Sequence, residues 1–267
     1  MKSLPEVTIL ITILNGSKTI DQCLESVCNQ TYKNKRIVCI NDASSDDTAE
    51  KLALWEKKIG SEIFQVITNK NHCGVTISLN KGLHIINSKY TARIDIDDWW
   101  DNTKLTKQVD FLTKNPDYKI IGSNYINYNG KIKKEIYTQK DNKTIRKNII
   151  KQNPFAHSCV IYETKLIKKV GGYDESIKYG GDYDLYMRLF PFTKFHNMQD
   201  FLCFRMIENE GISIKRQHEQ MIQGAKTQIK YIKKYKLSKI NYVHIIKLLA
   251  IAFTPKFIRN LKRSLLG

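Results

Sequence analysis

Residues 7–42 read VTILITILNGSKTIDQCLESVCNQTYKNKRIVCIND, and this stretch decides the fold. "VTILITIL" (7–14) is a continuous apolar, β-branched run, the pattern of a strand buried on both faces. "NGSKT" breaks it. In "IDQCLESVCNQ", Ile20, Cys23, Leu24 and Val27 then share one helical face. "RIVCIN" (36–41) is a second short apolar strand. Strand, helix and strand joined by short connections predict a right-handed parallel unit.

The alternation continues outward. In "DASSDD", Ser45, Asp46 and Asp47 offer capping chemistry for a helix running through Leu52 and Trp55. "IFQVIT" (63–68) is a third strand and "NKNHCG" a loop. "VTISLNKGLHII" is a helix with Val75, Leu79, Leu83 and Ile86 in phase, and "TARID" (91–95) is a fourth strand. Ligands of such sheets bind beyond the carboxyl ends of the strands. Three of those ends carry polar residues: Asn15, Asn41–Asp42, and Asp95–Asp97–Asp98. They are expected to converge on one crevice. Close carboxylates repel unless a cation or a shared proton relieves them, so the last group asks for a positive partner that the sequence does not supply.

After Trp100 the pattern changes. "KLTKQVDFLTKN" is a helix ended by Pro116, and "KIIGSNYINYNGKIKKEIY" is a hairpin around Asn129–Gly130. "NPFAHSCVIY" leads into a strand, and "ETKLIKKVGG" is a short helix stopped by glycines. "DYDLYMRLF" is helical and "FLCFRMI" a late strand. From Gln217 on the chain reads as helical and basic, with no Asp or Glu after Glu219.

Composition sets bounds around this pattern. The 267 residues carry a formal net charge of +18, with 42% hydrophobic and 26% charged residues, as in an ordinary globular protein with acidic partners. The six cysteines sit mostly in apolar segments without a CxxC pair, which points to reduced, buried thiols and away from zinc or a disulfide framework. No early segment reads as a signal peptide. No uninterrupted apolar run approaches the roughly 18–20 residues of a membrane span.

The blocks "VTILITILNGSKTIDQCLESVCNQTYKNKRIVCINDASSDDT", "NHCGVTISLNKGL", "YTARIDIDDWW", "HSCVIYETKLIKKVGGYDE" and "GGDYDLYMRL" resemble, in order, those of glycosyltransferase family 2. The resemblance covers residues 5–216. It implies a GT-A fold: an α/β, Rossmann-like, mixed and mainly parallel sheet flanked by helices. The expected organisation is a catalytic domain at 1–216, with a nucleotide-sugar half at about 1–98 and an acceptor half at about 99–216, and a basic amphipathic helical tail at 217–267.

The implied activity is inverting transfer of a hexose or N-acetylhexosamine from a UDP-sugar to a hydroxyl of a glycan or lipid-linked acceptor. The expected setting is synthesis of a bacterial surface polysaccharide, lipooligosaccharide or glycoprotein glycan. Mn²⁺ or Mg²⁺ is the implied cofactor, with Asp97 as its ligand and Asp95 and Asp98 orienting the ribose and the metal's water shell; Asp98 is the rival direct ligand. Hard oxygen ligands suit such a cation. Thr12 and Asp42 match base-binding positions. Arg93 matches either a diphosphate contact or an ion pair to Asp95. Asp182 aligns with the general base; Asp184, two residues on and near the opposite helix side, is its rival or else a solvated or capping acid. Ser213 and Arg216 lie where a loop would close over the diphosphate. His157 is either near the acceptor or a core hydrogen-bonding group. Trp99 and Trp100 are candidates for a sugar-stacking wall, with one of them core.

This sequence departs from the pattern at Leu14, where an aromatic often stacks on the base, and at Leu79, often basic. It departs again at Asn41 and Gly181, both often acidic. A metal-dependent nucleotidyltransferase and a non-catalytic carbohydrate-binding protein share the same crevice and stay open as alternatives. Nucleic-acid binding is disfavoured, because the basic residues gather late, around "YVHIIKLLAIAF", in a cationic amphipathic pattern suited to an anionic membrane surface. The expected location is cytoplasmic, peripheral on the cytoplasmic face of the inner membrane.

Overall fold

The computed structural model describes residues 4–207 and 216–253. Its first half is β1 (Val7–Ile13), α1 (Ile20–Cys28), β2 (Lys35–Asn41), α2 (Thr48–Ile59), β3 (Phe64–Thr68), α3 (Val75–Ile85) and β4 (Tyr90–Asp95). The second half is β5 (Trp99–Trp100), α4 (Lys104–Lys114), β6 (Tyr118–Tyr128), β7 (Lys133–Ile136), α5 (Asn142–Asn148), β8 (Ile161–Glu163), α6 (Thr164–Lys169), α7 (Gly181–Leu189) and β9 (Lys194–Met206). Two tail helices follow, α8 (Gln217–Lys234) and α9 (Tyr242–Phe253).

The described strands form one mixed sheet ordered β3-β2-β1-β4-β8-β6-β9-β5, with β7 on the outer side of β6. β3, β2, β1 and β4 run parallel, as the alternation of strands and helices requires. β8 enters antiparallel to both β4 and β6 and turns the sheet over to the second half. β6 and β9 pair in parallel, with register shifts around Asn124. The short β5 pairs with β9, so Trp99 faces Phe204 and Trp100 faces Cys203.

Every residue of β1 is buried. Val7, Ile9, Ile11 and Ile13 pack toward α1 and α4, where Ile20, Cys23, Leu24, Val27, Leu105 and Val109 are buried. Leu10 packs the other way, against Leu79, Leu83 and Ile86. A Cβ on Gly82 would stand 2.3 Å from Leu10 Cδ1, so α3 lies on β1 at glycine distance. Of the four residues predicted in phase on α3, Val75 alone is exposed (48%), because the helix begins there, at the rim of the sheet. At α2 the capping acid is Asp46: it accepts from the Thr48 amide (3.1 Å) and the Ser17 amide (3.1 Å), tying the β1–α1 loop to α2. α5 is not predicted by patterning. It is short, buries only Ile145, and starts on an Asp141 carboxylate that accepts from the Thr144 amide at 2.9 Å.

The start of the tail packs on α7. Ala225, Tyr231 and Ile232 of α8 and Ile245 of α9 are buried in the same core as Leu10. Asp184 holds this contact. Its side chain is fully buried and accepts from Arg188 Nε (2.8 Å), Lys230 Nζ (3.0 Å) and Tyr231 Oη (2.9 Å). Asp184 is therefore not the solvated or capping acid expected from its place on α7. No described helix is long and apolar enough to cross a membrane.

Removing one member of a buried ion pair strands its partners, at a cost of about 3–5 kcal/mol. Asp184→Ala is expected to lower Tm by roughly 10 °C, measured by calorimetry, and to make cleavage within α8 by a protease faster.

Candidate active site

The register of the parallel strands brings their carboxyl ends level. Thr12 pairs across to Ile40 on one side and Asp95 on the other, and Asn41 pairs with Thr68. Asn15 and Ala43, just past β1 and β2, adopt left-handed backbone (φ 54° and 59°) and turn the chain sharply at the rim. The Asn41 carboxamide accepts from the Ser44 amide (3.1 Å) and stabilises the turn after β2.

Asp42 stands at the end of β2 with its side chain 4% exposed. The loop after β3 wraps it. Its carboxylate accepts from the amides of Cys73 (3.0 Å) and Gly74 (2.8 Å), from Asn69 Nδ2 (2.7 Å) and from the Cys73 thiol (3.1 Å), and His72 Nδ1 lies at 2.8 Å. Burial alone would raise its pKa, but these donors bring it down to about 2. Asn69 is held in turn by Lys81 Nζ (2.7 Å). The strand end, the loop and the start of α3 thus form one polar unit. That unit reaches α7 through Thr76, whose hydroxyl donates to Ile177 O (3.3 Å) and lies beneath Gly181.

The three acids after β4 have different surroundings. Asp95 accepts from Arg93 Nη2 (2.5 Å) and from the Ser158 hydroxyl (3.0 Å). Against the effect of burial, the charges of Arg93, His157 and Arg205 hold its pKa down to about 2. Asp98 is buried. It accepts from the Met206 amide (2.9 Å) and faces Arg205 Nε at 3.8 Å, while burial and the charges of Asp95 and Asp97 push it well up. Asp97 is half-buried and has no side-chain partner among the described residues; burial and Asp95 push it up to about 6. One of the three carboxylates is therefore left without a side-chain hydrogen bond or ion pair among the described residues. Among the described residues, no three His, Cys, Asp or Glu side chains converge to enclose a metal ion by themselves.

Arg93, expected at a diphosphate or paired to Asp95, takes the second place. Its side chain has no exposure, and Nη2 spans Thr12 Oγ1 (3.2 Å) and Asp95 Oδ1. A guanidinium enclosed in this way has no free face for a phosphate. The basic group on the crevice side is Arg205 of β9. Its side chain is 29% exposed, it lies over the Tyr125 ring (5.3 Å), and Nε is without a hydrogen bond. Sequence reading missed it because one arginine in a strand carries no local signal. The strand pairing is what sets it opposite Asp98.

Asp182 lies in the first turn of α7. Asn153 Nδ2 donates to its Oδ2 (2.7 Å), while Oδ1 has no partner among the described residues. His157 Nε2 bonds the Tyr173 hydroxyl (2.8 Å). Burial and Arg93 push its pKa down to about 4, against the opposing charges of Asp182 and Asp95, so the imidazole is neutral near pH 7. His157 therefore feels both the Asp95 side and the Asp182 side of the crevice. Trp100 is core, 4% exposed, with Nε1 donating to Ser158 O (2.8 Å). Trp99 stacks on Phe204 (centroids 5.4 Å apart). Leu14, where an aromatic was expected, is 44% exposed. Arg216 is exposed and pairs with Glu219 (3.0 Å); Ser213 lies outside the described residues.

A family model described as Glycosyl transferase family 2 matches residues 8–171. EpsE of Bacillus subtilis (strain 168), named as a glycosyltransferase, is 28% identical over 265 residues, 97% of this chain and 94% of EpsE. The S. aureus TarS fragment 1–349, solved in complex with UDP-GlcNAc, superposes with a TM-score of 0.68 at 17% identity. The match covers 83% of this chain and 66% of that one, just under two thirds. The mannosyltransferase PcManGT from Pyrobaculum calidifontis, solved with GDP-Man and Mn²⁺, superposes with a TM-score of 0.66 at 15% identity over 94% of this chain and 70% of that one. At these identities the likeness is one of fold, and the shared fold is GT-A.

The depressed pKa of Asp42 is a stability term. The term is fully present above the unfolded value of 3.8 and is lost as pH falls through about 2. It amounts to about 2 kcal/mol. Asp42→Asn is expected to lower the urea-derived stability by about that amount at pH 7, with roughly half of the gap gone by pH 3.

Proposed function

Because the chain belongs to glycosyl transferase family 2, we propose that it moves a hexose or N-acetylhexosamine from a UDP-sugar to a hydroxyl of a glycan or lipid-linked acceptor, with inversion. One observation supports this reading: two acids of the matching blocks, Asp97 after β4 and Asp182 on α7, each keep carboxylate oxygen without a side-chain partner among the described residues. A nucleotide diphosphate with its cation fits the first. An incoming hydroxyl fits the second.

The residues present fit a divalent cation such as Mn²⁺ or Mg²⁺. Asp97 has hard oxygens that no side chain among the described residues bonds, and it stands beside a second carboxylate, Asp95, whose charge raises its pKa on top of burial. Asp95 and Asp98 are already engaged, which favours Asp97 as the direct protein ligand and leaves the other two as the frame around it. When bound, the cation would supply charge neutralisation at the departing diphosphate. Arg205 adds a fixed positive charge near the same acids.

Thr12 and Asp42 sit at the strand ends where a base would lie. For Asp42 to accept a uracil N3–H it must exchange one of the donors given by the loop after β3. At Asp182, Asn153 orients the carboxylate. The acceptor oxygen attacks the anomeric carbon, its proton passes to Asp182 Oδ1, and the bond from that carbon to the diphosphate breaks with UDP leaving. The neutral His157 is available to accept or donate a hydrogen bond near the acceptor without adding charge.

Asp182→Asn is expected to keep the thermal shift produced by UDP-sugar and Mn²⁺ while transfer falls by about 10²–10⁴-fold. Asp97→Asn is expected to lose the Mn²⁺-dependent part of that shift. A panel of nucleotide sugars tested for stabilisation and for UDP release identifies the donor. Undiminished transfer by Asp182→Asn would reject it as the base, and pyrophosphate release would point to nucleotidyl transfer.

A further inference from the structure

α9 is unusual for a helix at a protein surface. Its sequence, YVHIIKLLAIAF, has one lysine and one histidine among apolar residues, so apolar side chains point both inward and outward. Inward, Ile245 is buried, and Tyr242, Leu248 and Leu249 pack against the core. Outward, Val243 and Ile246 are 45% and 66% exposed, and Ile240 in the preceding turn is 70% exposed. These three are spaced by three residues and continue one stripe. Lys233, Lys234, Lys236, Lys239 and Lys247 are exposed along the same stretch. None of them pairs with a carboxylate among the described residues, and the sequence has no Asp or Glu after Glu219. α8 differs: its apolar face and Lys230 are engaged with the domain through Asp184.

We propose that the outward stripe of α9, with its flanking lysines, docks the protein on the surface of an anionic bilayer. Twelve residues make a helix of about 18 Å, too short to cross a hydrocarbon core but suited to lying in the interfacial plane. Charge complementarity chooses the occupant. A second copy of this chain meeting the same face across a two-fold axis would set the two lysine groups against each other. A nucleic acid would call for aromatic platforms, whereas the stripe is aliphatic. Anionic headgroups match the lysines, and the acyl boundary accepts Ile240, Val243 and Ile246. The inference stands on this surface alone and is independent of the transfer reaction.

The test uses the full chain and flotation with vesicles of phosphatidylcholine containing 30% phosphatidylglycerol, beside vesicles of phosphatidylcholine alone. Wild type is expected to bind the anionic vesicles at least about 10-fold better, with the preference shrinking as salt rises from about 0.1 to 0.5 M. Ile240→Glu and Ile246→Glu are each expected to reduce anionic binding about 10-fold or more. Their Tm should not change, since both side chains are exposed. Ile132→Glu, at an equally exposed site between β6 and β7, should bind like wild type. Stripe variants that bind vesicles as wild type does would overturn the proposal. It would equally be overturned if they bound no less than wild type but converted a dimer to a monomer in sedimentation, which would make the stripe a contact between copies.

Discussion

A guanidinium with no access to solvent lies between β1 and β4, and the geometry of the crevice follows from it. Arg93 has to be matched inside the protein, because an unpaired buried charge costs several kcal/mol. Thr12 and Asp95 supply the match from the two strands on either side of their shared register. Asp95 is thereby fixed, and Ser158 fixes its other oxygen. With Asp95 committed to ionisation, its neighbours carry the repulsion. Asp98 is relieved in part by Arg205 and the Met206 amide. Asp97 has no side-chain hydrogen bond among the described residues, and burial together with the Asp95 charge outweighs the pull of Arg205 and Arg93 and raises its pKa.

The same logic separates the two acids of α7. Asp182 and Asp184 are two positions apart, which on a helix places them on different sides. Asp184 points into the interface with α8 and is consumed by Arg188, Lys230 and Tyr231. Asp182 is held by Asn153 through one oxygen and keeps the other without a partner among the described residues. A helix in the tail therefore stabilises the element that carries Asp182, although it is distant in sequence from the strand ends.

Much of the first half was legible because its signals are local. Apolar runs, a helical face at Ile20–Cys23–Leu24–Val27 and acids at strand ends all survive as predicted. The second half was less legible because its features depend on pairing. The length of β9, the two-residue β5 and the place of Arg205 beside Asp98 come from strands that meet only after folding. Arg93 allowed two readings in the sequence, and burial decided between them, which periodicity alone could not do. The capping acid before α2 proved to be Asp46 because its side chain also has to hold Ser17 across the loop. Asp184 was misread because two of its three partners, Lys230 and Tyr231, lie more than 40 residues away in α8.

The enclosure of Asp42 by the loop after β3 has a consequence for ligand recognition. A base that needs this carboxylate competes with donors the protein already provides. Any opening that this requires scales the measured affinity by the population of the opened form. Asn69, which donates to the carboxylate, and Lys81, which holds Asn69, would thus tune the affinity of any ligand that needs Asp42.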